Sequence, residues 1–202
     1  MKFRMIISAL ALLGAAVSTP AMAVEKGDWL VRFGASSVAP KSSNHEVVNV
    51  DSATSFTFNF AYMMTSNLSV ELLAAYPFEH DINLNADGSK VGSTKHLPPT
   101  LSVQYHFVPG NKFKPYIGAG INYTNFFSEK TTGALEGLDL SLDDSWGLAG
   151  EIGADIMLGE TWLLNLSVRY IDIDTRAKLN GQSIGTVSID PWVYSVNAGV
   201  RF

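Results

Sequence analysis

The sequence predicts an all-β fold: an eight-stranded antiparallel transmembrane β-barrel with short periplasmic turns and four long extracellular loops. Three observations predict it. Segments of about 10 to 13 residues alternate apolar and polar side chains with a strict two-residue period. The connections between them are by turns very tight and very long. The chain stops on Phe202, at the end of a strand whose Trp192, Tyr194, Val196, Ala198, Val200 and Phe202 share one face.

Each strand is justified by its own alternation. The first, Asp28 to Val38, places Trp29, Val31, Phe33 and Ala35 on one side. The second, Thr54 to Met64, is the cleanest, with Phe56, Phe58, Phe60, Tyr62 and Met64 opposite Ser55, Thr57, Asn59 and Ala61. The third, Leu68 to Phe78, presents Leu68, Val70, Leu72, Ala74 and Tyr76. The fourth, His96 to Phe107, carries Leu101, Val103, Tyr105 and Phe107 against Thr100, Ser102, Gln104 and His106. The fifth runs over Lys114 to Thr124, the sixth over Ser145 to Met157, and the seventh over Thr161 to Ile173; the carboxy-terminal strand is the eighth. Such lengths cross a bilayer at a tilt.

Tight turns fall at Ser66-Asn67, Pro109-Gly110-Asn111 and Gly159-Glu160. Long connections cover Ala39 to Ala53, Glu79 to Lys95, Asn125 to Asp144 and Asp174 to Val187, where Ala134 to Leu138 hints at a short helix. An even strand number puts both chain ends in the periplasm. In hydrocarbon an unpaired backbone group costs several kcal/mol, so strand one must pair with strand eight. Aromatic residues such as Trp29, Tyr76, Tyr105, Trp162 and Trp192 lie at strand ends, where rings meet headgroups. A soluble ligand-holding barrel with apolar side chains inward shows the same alternation. Strand length, the aromatic ends and the terminal Phe202 favour the membrane orientation.

Composition agrees with this reading. Charged residues make up 16 % of the chain, below the roughly 25 % of soluble domains. A net charge of -5 argues against nucleic-acid binding. The absence of cysteine excludes disulfides and thiolate chemistry. Lys2 and Arg4, an apolar stretch over Met5 to Val17 and Ala21-Met22-Ala23 read as a signal peptide over residues 1–23, leaving the barrel domain at 24–202.

With the apolar face on lipid, the alternate set lines the lumen. It contains the charges Arg32, Glu71, Glu151, Asp155, Arg169 and Arg201, which are expected to pair across a barrel too narrow for an open pore. Its apolar members are Met63, Leu73, Leu163 and Ile171, a candidate greasy patch in the middle or upper lumen. Pro98, Pro99 and Pro191 stand at strand starts, where a missing N–H weakens pairing least.

Several blocks resemble one family. They include His96-Leu97-Pro98-Pro99-Thr100, the run Phe113 to Thr124, Leu140 to Gly147, Tyr170 to Thr175 and Asp190-Pro191-Trp192-Val193. In these the chain resembles the outer-membrane protein W family over nearly its whole mature length. The resemblance implies an eight-stranded barrel in the outer membrane of a Gram-negative bacterium. It implies uptake of small hydrophobic molecules through a narrow apolar lumen, with lateral exit into the membrane near the prolines. By position it places a lumen constriction at Leu73, with Arg169 where an apolar partner is expected, and with Met63, Leu163 and Ile171 as further members. Pro98, Pro99 and Pro191 become the lateral opening, and Phe202 the signal read by barrel-assembly machinery. The implied partners are outer-membrane lipid and lipopolysaccharide, small hydrophobic solutes and, for some members, a bacteriocin or phage.

No catalytic or metal motif stands out, and no cofactor is implied. His45, His80, His96 and His106 are scattered without ligand spacing, and Gly118-x-Gly120 lies inside a strand. No Gly-x-Ser-x-Gly elbow occurs. The alternative to a channel is a plugged structural or receptor barrel whose loops do the work; a barrel enzyme with His, Ser and Asp on external loops is the weaker rival.

Overall fold

The computed structural model describes residues 23–42 and 44–202; the signal peptide read over 1–23 lies, Ala23 apart, outside the described residues. The strands are β1 (Trp29–Ala39), β2 (Val48–Val50), β3 (Ala53–Met63), β4 (Leu68–Ala75), β5 (Phe78–Leu84), β6 (Lys90–Leu97) and β7 (Thr100–His106). They continue with β8 (Phe113–Thr131), β9 (Leu140–Leu142), β10 (Ser145–Met157), β11 (Trp162–Ile171), β12 (Asp174–Leu179), β13 (Gln182–Ser188) and β14 (Trp192–Arg201). Eight of them close a ring in the order β1-β3-β4-β7-β8-β10-β11-β14, every neighbour antiparallel. The seam runs in register from Leu30–Arg201 to Ala39–Trp192. Trp29 and Phe202 exchange two backbone hydrogen bonds at 2.8 and 3.1 Å, so the last residue completes the closure. No edge of the ring is left for lipid to desolvate. Among the described residues no helix is long and apolar enough to cross a membrane.

The two faces sort as the alternation predicts. Phe56, Phe58, Leu72, Leu101, Ile121, Leu148, Ile152 and Val196 are exposed on the outside, while Arg32, Glu71, Glu151 and Asp155 are buried inside. Such an apolar belt is far larger than a soluble monomer tolerates and is the surface of a lipid-embedded barrel. Trp29, Tyr62, Phe113 and Trp162 mark one rim; Tyr76, Trp146, Tyr170 and Trp192 mark the other.

The long connections are more ordered than the sequence suggests. The stretch read as a loop over Glu79 to Lys95 is the hairpin β5–β6. The fifth strand does not stop at Thr124; β8 runs on to Thr131 and pairs there with β6. The stretch after Asp174 is the hairpin β12–β13, with β9 added at its edge. Its turn, Asn180-Gly181, has φ of 50° and 77°, the left-handed pair that a tight hairpin needs. The short helix is a single 3-10 turn at Gly133–Leu135. These extensions escape a lipid-facing pattern because they stand above the hydrocarbon, where both faces meet protein or water.

Candidate functional site

The lumen is built in layers. At the periplasmic end Leu30, Ala61, Met63, Met157 and Leu163 bury one another, and Val24 folds in among them. The Val24 N–H donates to the Pro109 carbonyl at 3.1 Å, holding the segment before β1 across the mouth.

Above lies a charged layer. Arg32 binds Asp155 in a bidentate pair at 2.8 and 2.7 Å and reaches Glu71 at 2.6 Å. Arg169 bridges Glu71 at 2.6 Å and Glu151 at 2.7 Å. Gln104 donates to Glu151 at 2.7 Å, and Asn165 to Asp155 at 2.9 Å and to the Tyr116 hydroxyl at 3.0 Å. Lys114 donates to the carbonyls of Pro109 and Asn111 and is the cross-strand neighbour of Asp155. Strands β1, β4, β10 and β11 each supply a charge from positions adjacent to lipid-facing residues, so the strand period itself turns them all inward. Gly118 leaves room for the network: a Cβ there would stand 2.7 Å from a Glu151 carboxylate oxygen. Charges this deep persist because each is paired and hydrogen-bonded. A chain of hydroxyls continues upward, with Ser36 bonded to both Thr57 and Ser195 at 2.7 Å.

A second apolar cluster sits above the polar layers. Val38, Phe78, Phe126, Ile171, Ile173, Ala177, Val187, Ile189 and Val193 form it, with Ala75 packed against it. It floors an apolar cavity of about 300 Å³ inside the extracellular extension. Val50, Ile82, Leu142 and Ile189 are among its walls, with the imidazoles of His80 and His96. Phe78, His96 and His80 stack face to face, with ring centres 5.5 and 4.9 Å apart. Burial pushes both imidazoles below their usual range, His96 to about 3.

The wall beside the cavity is broken at one place. Pairing between β4 and β7 ends at Leu73–Thr100 and resumes between β5 and β6 at Phe78–His96. Between them the four residues Ala74 to Pro77 face the three residues Leu97 to Pro99 with no register joining the two segments. Three of those seven are proline and donate nothing. On the other flank the ladder is tighter: the Tyr123 N–H donates to the Pro99 carbonyl at 3.0 Å, and Asn122 donates to Pro98 and Pro99.

The five residues expected to form one constriction are divided among these layers. Met63 and Leu163 belong to the periplasmic cluster, Arg169 to the charged layer and Ile171 to the upper apolar cluster, while Leu73 is buried in the wall just below the break. Sequence spacing sets the face a residue lies on; its height follows from the stagger between strands. Arg32, Glu71, Glu151 and Asp155 pair across the lumen as expected, but Arg201 does not join them. It pairs with Asp28 at 2.8 Å on the periplasmic rim. Pro191 lies on the opposite side of the ring from Pro98 and Pro99, and its carbonyl accepts from Ile171 at 3.2 Å, so it adjoins no break. Pro77, Lys114, His80 and His96 are the contributors that sequence reasoning passed over. A proline in the outer half of strand three was the available signal for the first.

This closed, lipid-faced ring with a filled lumen defines the class: a bacterial outer-membrane β-barrel. Comparison with known proteins narrows it. The family model described as OmpW family matches residues 25–202. Outer membrane protein W of Vibrio cholerae serotype O1 is 46 % identical over 97 % of this chain and 98 % of its own. Outer membrane protein W of Escherichia coli K12 is 44 % identical over 92 % and 93 %. The crystal structure of the outer membrane protein OprG from Pseudomonas aeruginosa superposes with a TM-score of 0.80 at 37 % identity, over 90 % of this chain and 98 % of that one. The chain belongs to the OmpW family, a non-enzymatic family of the outer membrane of Gram-negative bacteria.

Proposed function

We propose that the protein takes up small hydrophobic molecules from outside the cell and releases them sideways into the outer membrane. The observation that carries this is the apolar cavity of about 300 Å³ standing over a charged, hydrogen-bonded layer and beside an unpaired stretch of wall. An apolar solute gains by leaving water for such a cavity. Going straight down it would have to part buried ion pairs, each about 3–5 kcal/mol to break. Going sideways at Ala74 to Pro77 it crosses a stretch with few ladder bonds to open. Leu73 and Ala75 stand at that exit, with Pro98 and Pro99 across from them. Lipid is then the acceptor of the solute, and lipopolysaccharide the surface the extracellular hairpins face.

The test is uptake of an apolar fluorescent tracer into cells with and without the protein. Ala177→Trp, which fills the cavity, is expected to lower uptake to the level of cells lacking the barrel. Glu151→Gln, in the charged layer, is expected to leave the uptake rate of the assembled barrel unchanged. Full uptake with Ala177→Trp sinks the reading and leaves the plugged receptor barrel, engaged by a bacteriocin or phage at the loops. Uptake that rises on loosening the charged layer redirects the route along the axis.

A further inference from the structure

The two buried imidazoles are not used by a purely apolar cavity. His80 Nδ1 lies 2.5 Å from the backbone carbonyl of Asp51. A carbonyl only accepts, so this nitrogen carries the proton. The ring is neutral, since burial disfavours its charged form, and Nε2 is left as a bare acceptor. That Nε2 is buried and has no hydrogen-bond partner, and the Nε2 of His96 beside it has none either. Both rings line the cavity. Leaving a buried acceptor unmet costs about 1–3 kcal/mol. A hydrocarbon in the cavity leaves that cost in place, whereas a donor removes it.

We propose that the cavity's preferred solutes are apolar molecules bearing one hydroxyl, alcohols or phenols, with the hydroxyl donating to His80 Nε2. The hydroxyl oxygen is then free to accept from the neighbouring His96 Nε2 in the tautomer that carries its proton there. The remaining wall, from Val50, Ile82, Leu142 and Ile189, takes the apolar body. The face-to-face stack of Phe78, His96 and His80 holds the acceptor in place. This rests on the cavity being the solute site.

The test compares p-cresol with toluene, which differ by the hydroxyl alone. Binding is measured on the full mature barrel in phospholipid vesicles, with protein-free vesicles giving the partition into lipid. After that correction p-cresol is expected to bind about tenfold more tightly than toluene. In His80→Phe the ratio is expected to fall to near unity, with toluene binding kept. On unsubstituted protein carrying isotope-labelled histidine, the His80 Nε2 resonance is expected to move with p-cresol and to stay with toluene. That measurement decides the matter should His80→Phe not assemble. Equal affinity for the two solutes with an unmoved Nε2 resonance means that water meets the acceptor; it overturns this proposal and leaves the apolar-cavity reading standing. Saturable binding of neither solute overturns both.

Discussion

Arg169 is the residue on which the charged layer turns. Its Nη2 touches Glu71 and Glu151 together, so one guanidinium keeps two buried carboxylates apart. Arg169→Met leaves Glu151 without an ion-pair partner and Glu71 with Arg32 alone, and the expected cost is about 3–5 kcal/mol in a urea titration of the vesicle-inserted barrel. Adding Glu151→Gln to that variant is expected to recover part of the loss, because the unpaired charge is gone. The identity of every member of the layer could be read from alternation, since period two puts Arg32, Glu71, Glu151, Asp155 and Arg169 on the inward face. Which charge meets which could not, because pairing depends on how far each strand is shifted along its neighbour.

At the scale of elements, the junction of β4 with β5 and of β6 with β7 is the feature that departs from an ideal ladder. Four residues oppose three there, and prolines stand on both sides. Pro98→Val with Pro99→Val returns two backbone donors, one of them on the residue whose carbonyl accepts from Tyr123. The paired variant is expected to slow amide exchange along β7 and to lower tracer uptake several-fold, by about one ladder bond's worth of free energy at each site. Unchanged uptake would place the exit elsewhere. The prolines themselves were plain in the sequence. That Pro98 and Pro99 flank a break while Pro191 is stitched to Ile171 follows from their neighbours in the ring. The upper hairpins were read as loops because their residues answer to one another and to the cavity, so no lipid-facing stripe marks them. The Asn180-Gly181 turn was the local cue to one of them.

For the whole molecule, stability should depend on pH through the cavity. Burial lowers the pKa of both His80 and His96 from the 6.5 of a free imidazole, and His96 stays neutral in the folded state down to about 3. An opened chain takes up protons over that interval and the closed one does not, so stability is lost as pH falls from 6.5 toward 3. Corrected for the intrinsic pH dependence of exchange, amide protection in β5 and β6 is therefore expected to be lower at about pH 5 than at neutrality, and His80→Phe with His96→Phe to remove the difference. Closure is the other global property. Trp29 and Phe202 complete the seam, so removing residues 192–202 opens two edges at once. That truncated chain is expected to fail to insert into vesicles, since neither edge can be met within hydrocarbon. Phe202→Ala keeps the backbone pairing; if the terminal ring is read by assembly machinery, folded barrel in the outer membrane should fall while refolding into vesicles in vitro does not.

Alternation, turn spacing and the aromatic end were enough to set the class, the strand number, the two faces and the need for closure. All are local or counting properties, and lipid enforces them on every strand alike. The layering of the lumen was decided only in three dimensions. Height in a barrel is the product of tilt and stagger, so Met63 and Ile171, alike in type and face, end in clusters on opposite sides of the charged layer. The cavity belongs to the same order of fact. It is made where β5, β6, β9, β12 and β13 rise above the ring and bring His80, His96, Leu142 and Ala177 around one space, though they are far apart along the chain.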